Sequence, residues 1–244
     1  VRDHDVVFHL AARINVDESI KDPRAYLDTN VYGTYNILEA VREVGNRLIF
    51  ASTCEVYGEP RERKPIDEEM VLRPHSPYAA SKAAADRLCF AYHKTYSVDV
   101  TIVRPFNIFG ERQKEGAGGA AIAIFVKKSL NKEPITIFGD GLQTRDYMHV
   151  DDLVQGYDLV FRNNSLSGEV INFGSGQEVC IKDIADYIAN KLANHVSHTD
   201  PRPGEVKTFV SANIKRARSF GFAPRISIWE GIDRYIEWRK GLTS

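Results

Sequence analysis

An α/β fold is what this sequence predicts: a doubly wound sheet of parallel strands with a smaller lobe toward the C-terminus. Three observations carry that reading. Short apolar runs alternate with helix-patterned segments at spacings that suit parallel crossovers. The 244 residues are 43% hydrophobic and 27% charged, which suits one large globular unit and excludes a disordered or collagen-like chain. Beyond Phe106 the texture changes, and residues 110–119 hold four glycines among charged side chains, the pattern of a mobile loop between two parts.

The elements follow in order. Val6 to Leu10 is a short apolar strand at the start of the chain. Asp22 caps a helix that opens on Pro23; Leu27, Val31, Leu38 and Val41 mark one face of it, and Gly45 ends it. Leu48 to Ala51 is a second buried strand. Ser76 and Pro77 form another cap and first-turn pair, opening a helix that runs to about Thr95, and Val98 to Phe106 is the third strand. A short strand at Ile135 to Phe138 closes on Gly139-Asp140-Gly141. Leu153 to Phe161 reads as a helix, Val170 to Phe173 as a strand and Ile184 to Leu192 as a helix. The last helix carries the capping-box pair Ser227 and Glu230 and stops near Gly241.

Charge narrows the classes of function. Thirty-two basic against thirty-three acidic side chains leave a net charge of −1, so neither nucleic acid nor a membrane surface is an expected partner. The longest apolar stretch, Gly118 to Val126, is about half the length of a bilayer span. Three cysteines without a Cys-x-x-Cys spacing point to a reducing, cytoplasmic compartment rather than a disulfide framework. The histidines fall in no metal-ligand pattern, and no metal is expected.

Tyr78 and Lys82 stand four apart near the start of a helix, so both project from one face. A tyrosine titrating near 10 is a poor base at neutral pH. The lysine ammonium and the positive end of the helix are expected to favour its phenolate and make a base for an alcohol proton. On its own such a pair is far more often a solvated helix face. Its context is more specific: Ala51-Ser52-Thr53-Cys54-Glu55-Val56-Tyr57-Gly58 ends a buried strand, where α/β active sites form. His9-Leu10-Ala11-Ala12 ends another, Asn30-Val31-Tyr32-Gly33-Thr34 lies in a helix, and Arg104-Pro105-Phe106-Asn107 follows the pair.

This ordered set resembles the extended short-chain dehydrogenase/reductase family, specifically its NAD-dependent nucleotide-sugar epimerases and dehydratases. Gly139 to Asp146, Asn172 to Gly176, Arg202 to Glu205 and the helix with Trp238 continue the resemblance over essentially the whole chain. It implies a Rossmann-type fold and NAD as cofactor. Tyr78 would take the proton of the sugar C4 hydroxyl while hydride leaves C4 for the nicotinamide. Lys82 would hold the cofactor ribose and keep the phenolate charged, and Thr53 would bond the same sugar oxygen. Leu10, Ala11, Ala12, Asn30, Ser52 and Pro105, with Tyr78 and Lys82, would line the cofactor site. Asn107, Arg145 and Arg202 would bind the nucleotide diphosphate, a task that suits the arginine fork. A domain-linking ion pair with Asp146 or Asp152 is the alternative for Arg145.

The family's first element, a strand and glycine-rich turn leading into a helix, is not in this sequence. The expectation is therefore an N-terminally truncated chain lacking about 65 residues, inactive alone, with Val6 to Leu10 as an unpaired edge. The resemblance divides the rest into a partial dinucleotide-binding unit, 1–106 with 143–174, and a nucleotide-sugar lobe, 107–142 with 175–244. It also implies a homodimer through the helices after Asp22 and after Ser76. Thr53-Cys54-Glu55 leans toward 4,6-dehydratase or decarboxylase chemistry, with Glu55 as the group acting at C5. A 4-epimerase of the UDP-glucose 4-epimerase type, with Glu55 merely structural, is the first alternative. A catalytically dead sugar-nucleotide-binding homologue and a small-alcohol dehydrogenase are the others.

Overall fold

A computed structural model describes residues 2–60, 62–115, 121–200 and 210–242. In chain order these form β1 (Val6–His9), α1 (Val16–Lys21), α2 (Pro23–Tyr26), α3 (Gly33–Val44), β2 (Arg47–Ala51), α4 (Pro77–Tyr96), β3 (Val100–Pro105) and β4 (Asn107–Phe109). Then come α5 (Ala121–Leu130), β5 (Ile135–Phe138), β6 (Thr144–Arg145), β7 (Tyr147–His149), α6 (Val150–Arg162) and β8 (Val170–Phe173). The chain continues through β9 (Val179–Cys180), α7 (Ile181–Lys191), β10 (Val196–Thr199), α8 (Lys215–Ser219) and α9 (Ile228–Gly241).

The central sheet runs β1-β2-β3-β8, and every pairing in it is parallel. Alternation within β2 shows why both faces are covered. Leu48 and Phe50 pack with Leu38 and Val41 of α3 and with Ala85 and Cys89 of α4. Ile49 turns the other way and joins Val103, Ile171, Phe173, Ala217 and Phe222. Helices on both faces of a parallel sheet make the doubly wound α/β arrangement. β1 has β2 as its neighbour on one side, and its Phe8 is 43% exposed, with its ring against Tyr157 and Phe161 of α6.

A separate core lies beyond the sheet. Phe109, Phe125 and Ile135 pack there with Ile184 and Ile188 of α7 and with Ile232 and Tyr235 of α9. β5 pairs parallel with β10, β4 parallel with β7, and β6 antiparallel with β9. The segment 210–222 does not join this second core. Ala212, Ile214 and Phe222 lie against the sheet, and Ala212 bridges to Ile66.

The helix opened by Asp22 and Pro23 is not continuous. Asp22 accepts a bond from the Ala25 amide, as a cap does, but residues Leu27–Tyr32 form a π-helical turn before α3 begins. The widened turn shifts the helical phase by about one residue. Leu38 and Val41 are buried as the periodicity predicts, whereas Leu27 emerges 45% exposed and Asn30 turns inward. Gly45, at φ +84°, closes α3 in the left-handed conformation.

Candidate active site

Parallel strands end on one edge, so β1, β2 and β3 deliver the segments after His9, Ala51 and Pro105 to a common crevice. α4 runs beside it. Ser76 accepts from the Ala79 amide and Pro77 fills the first turn, which fixes where the helix starts and sets Tyr78 and Lys82 one turn apart on the face toward β2.

Both are buried, with Tyr78 9% and Lys82 4% exposed. The Lys82 ammonium donates to the Ala51 carbonyl at 2.6 Å and lies 4.4 Å from the centre of the Phe50 ring. Burial outweighs the neighbouring charges and lowers its pKa to about 8. Tyr78 stands edge-on to Tyr26. The expectation that Lys82 and the helix end would lower the Tyr78 pKa is not met in this structure. Burial raises it to about 12; the Thr53 hydroxyl opposes that rise, while Cys54 and Glu55 reinforce it. The geometry agrees: the hydrogen bond of the Lys82 ammonium goes to a backbone carbonyl of β2 and not to the phenol.

Thr53 is buried and accepts from the Glu55 amide at 3.3 Å, the first bond of a short 3₁₀ turn over Cys54–Tyr57. That turn leaves Glu55 exposed in the crevice, with its charge acting on Tyr78. The Cys54 thiol beside it is held well above its usual pKa, chiefly by burial, so it is no nucleophile. Ser52 gives its hydroxyl to Asp86 at 2.7 Å. Asn30 is buried, accepts from the Arg13 amide, and donates to the Arg13 carbonyl and to Ser81. Leu10 is 60% exposed, Ala11 is exposed, and Ala12 and Pro105 are half-buried, so together they form an apolar lip above β1 and β3.

Asn107 and Arg145 meet at a cavity of about 450 Å³ walled mostly by α5, β5 and β7. Phe125, Lys128, Gln143 and Tyr147 line it with them. Its walls combine aromatic rings with amide and cationic groups, the composition of a site for a flat base joined to anions. Arg145 also faces the catalytic edge, since its charge acts on the Cys54 thiol. Both carboxylates weighed as its partners accept from backbone amides. Asp146 accepts from the backbone of Ser175, Gly176 and Ala212, and Asp152 from that of Arg225 and Ile226. Arg202 lies outside the described residues, as do residues 116–120 of the glycine-rich loop.

Several participants escaped the sequence reading. Phe125, Lys128 and Tyr147 reach the cavity from α5 and β7 with no motif to mark them, and Gln143 lies within the Gly139 to Asp146 segment without a role assigned to it. Asp86 carried a signal, since Tyr78, Lys82 and Asp86 follow one another at four-residue intervals. Among the described residues no group of three or more metal-ligating side chains is found, and no helix is long and apolar enough to cross a membrane.

Comparison with known proteins decides the family. The model of the NAD-dependent epimerase/dehydratase family matches residues 1–174. The chain belongs to that family and is an enzyme of it. A UDP-glucuronate 4-epimerase of Thermodesulfobacterium geofontis is 34% identical over 239 residues, covering 96% of this chain and 72% of the relative. A dTDP-glucose 4,6-dehydratase of Streptomyces antibioticus is 36% identical over 238 residues, covering 96% and 70%. Among solved structures, the UDP-glucuronic acid 4-epimerase of Bacillus cereus, crystallised with UDP-glucuronic acid and NAD, is 32% identical with a TM-score of 0.91, over 98% of this chain and 76% of that one. The family thus contains both epimerases and dehydratases that resemble this chain.

Proposed function

We propose that this enzyme oxidises the C4 hydroxyl of a nucleotide-diphosphate sugar to a ketone and then carries out elimination at C5, as a 4,6-dehydratase or a uronic-acid decarboxylase. The observation that carries the reading is the exposed Glu55 carboxylate beside Tyr78, close to the cavity lined by Asn107 and Arg145. Exposed glutamates are common on any surface; what singles out Glu55 is that its charge acts on the buried Tyr78 phenol and Cys54 thiol beside it.

The residues at the edge suit NAD. Lys82 is a buried cation with protons to spare for ribose hydroxyls, and the lip of Leu10, Ala11, Ala12 and Pro105 suits a flat ring. When bound, NAD would supply the acceptor for the hydride that leaves C4. Tyr78 takes the C4 hydroxyl proton, Thr53 aligns that oxygen, and Asn107, Arg145 and Arg202 hold the diphosphate. The ketone acidifies the C5 hydrogen. In a dehydratase Glu55 removes it and the C6 hydroxyl departs as water. The hydride first taken from C4 would then return to C6 while a proton returns to C5, so that the oxidised cofactor is regenerated. In a decarboxylase carbon dioxide leaves C5 instead. The epimerase relatives support a second reading, in which the ketone turns over and hydride returns to its other face.

The test begins with thermal shifts of the protein against UDP-, dTDP-, GDP- and CDP-sugars, followed by product analysis on whichever binds. Glu55→Gln then separates the readings. In a dehydratase it abolishes both exchange of the C5 hydrogen with solvent deuterium and loss of water. In a 4-epimerase it leaves interconversion of the C4 epimers near the wild-type rate. Normal elimination by Glu55→Gln would remove Glu55 from the mechanism.

Residues 1–106 and 143–174 are proposed as the cofactor unit, and 107–142 with 175–244 as the sugar-nucleotide lobe, with the segment 210–222 strapping the second to the first. A homodimer through the π turn, α3 and α4 is proposed on their exposed Leu27, Tyr35 and Tyr96. A cytoplasmic setting rests on three unpaired cysteines.

A further inference from the structure

Asp86 is fully buried two turns along α4 from Tyr78 and one turn from Lys82, on the same side of the helix. A buried carboxylate is costly unless it is bonded, and this one is bonded on several sides. Arg104, at the end of β3, grips it with two bonds of 2.8 Å, and Ser52, just past β2, donates at 2.7 Å. Arg87 closes over it from the solvent side at 3.0 Å. From Arg104 the network continues to the Tyr57 hydroxyl at 2.8 Å and on to Asn172 of β8 at 2.7 Å. One carboxylate therefore joins the catalytic helix to the ends of three strands.

The surroundings of Lys82 give Asp86 a second task. β2 offers Lys82 only neutral groups, the Ala51 carbonyl and the Phe50 ring. His9 of β1 is held neutral, its pKa lowered to about 4 by burial and then by the Lys82 charge. Cys89, one turn beyond Asp86, has its thiol pushed up by burial and stays protonated, as does Tyr78. Asp86 stays ionised, because Arg104, Ser52 and Arg87 together outweigh its burial. Among these titratable neighbours it is the group that carries a negative charge at neutral pH.

We propose that Asp86 is a positioning residue of this active site: it fastens the helix face of Tyr78 and Lys82 to the ends of β2, β3 and β8, and it is the counter-charge that keeps the Lys82 ammonium protonated. The proposal deepens the reading of Tyr78 and Lys82 as the catalytic pair and rests on it. Without Asp86 the Lys82 ammonium would face only neutral partners, and burial would strip its proton at a lower pH. A neutral Lys82 loses the charge with which it is proposed to hold the cofactor ribose.

The measurement is the titration of Lys82 itself, on the protein without cofactor or substrate. Lysine labelled with ¹³C at Cε reports protonation through its chemical shift, and the Lys82 resonance is assigned by its absence in Lys82→Arg. The wild-type midpoint is expected near 8. In Asp86→Asn it is expected to fall by about one pH unit or more. Asp86→Asn leaves Arg104 buried without its carboxylate, so a double variant with Arg104→Met removes that charge too should the single one fail to fold. A fall in the same direction is expected there, because Asp86 lies one turn from Lys82 on the same side of α4 while Arg104 belongs to β3. Asp86→Glu should restore the midpoint. Arg47→Met serves as control: it loosens the end of α6, far from Lys82, and should lower thermal stability without moving the titration. A midpoint in the Asp86 variants equal to wild type, or an equal fall in Arg47→Met, would overturn the proposal. A shifted midpoint in a protein that turns over no sugar nucleotide would instead count against the proposed function and leave the electrostatic assignment standing.

Discussion

Tyr78 is neutral in the protein as described, because burial holds its phenol far from ionisation. Tyr78→Phe removes the C4 base while keeping the ring against Tyr26. The rate of C4 oxidation should fall by about 10²–10⁴-fold, with sugar-nucleotide affinity by thermal shift nearly unchanged. An equal loss of binding and rate would mean that the phenol holds substrate rather than taking its proton. At this scale the sequence was informative where spacing and chemistry coincide: Tyr78 and Lys82 could be picked out by their spacing at a helix start. Thr53 and Glu55 rested instead on the family resemblance of the strand-end segment that holds them. The direction of the Tyr78 shift could not be read in this way, because it depends chiefly on how deeply folding buries the phenol. Phe125, Lys128 and Tyr147 were hidden for a similar reason, since only folding of the second core brings them to one cavity.

The π turn is the clearest effect at the level of elements. Its extra residue brings the Asn30 side chain inward, where the amide closes on both backbone groups of Arg13 and on Ser81 of α4. The loop above β1 is thereby tied to the catalytic helix. Asn30→Ala leaves those groups unpaired and should cost about 1–3 kcal/mol, read as a lower urea midpoint at unchanged slope. Asn30→Asp keeps the acceptor for the Arg13 amide and loses the donors, so an intermediate loss is expected. An alanine variant as stable as wild type would mean that water replaces the amide. A heptad-like pattern does not reveal such a turn: Leu38 and Val41 obey the period, and the one-residue offset shows only in Leu27, which the same period placed inward. The helix boundaries carrying strong caps, Asp22-Pro23, Ser76-Pro77 and Ser227, were legible because each is a local interaction of side chain and backbone.

Two predictions concern the whole molecule. His9 bonds Thr34 at 3.0 Å and is held neutral, its pKa lowered to about 4 against 6.5 for an exposed imidazole. As pH falls from 6.5 toward 4 the unfolded chain takes up a proton that the folded one refuses, so stability drops across that window and the contribution is constant below it. The loss approaches about 3 kcal/mol at its limit. His9→Gln should flatten the pH dependence of the urea midpoint between those values, and a dependence as steep as wild type would assign the effect to other groups. Sedimentation addresses the proposed assembly: at micromolar concentration a dimer is expected, and replacing Tyr35 and Tyr96 with Ser should give monomers with the sheet intact. A monomeric wild type would remove the basis for that interface.

The direct pairing of β3 with β8 has a consequence for how the chain reaches this state. Strand partners elsewhere in the sheet are joined by one helical crossover, but residues 106–169 intervene between Pro105 and Val170 and build much of the second core on the way. β3 and β8 can meet only as that intervening core assembles, and contacts so far apart in sequence form slowly. On refolding, α3, α4, β2 and β3 should acquire protection from hydrogen exchange first, with β8 following only once the intervening segment has collapsed. Asn172 would then be the last link made between the strands and the carboxylate of Asp86, so that the crevice takes its working shape late, after most of the chain is already compact.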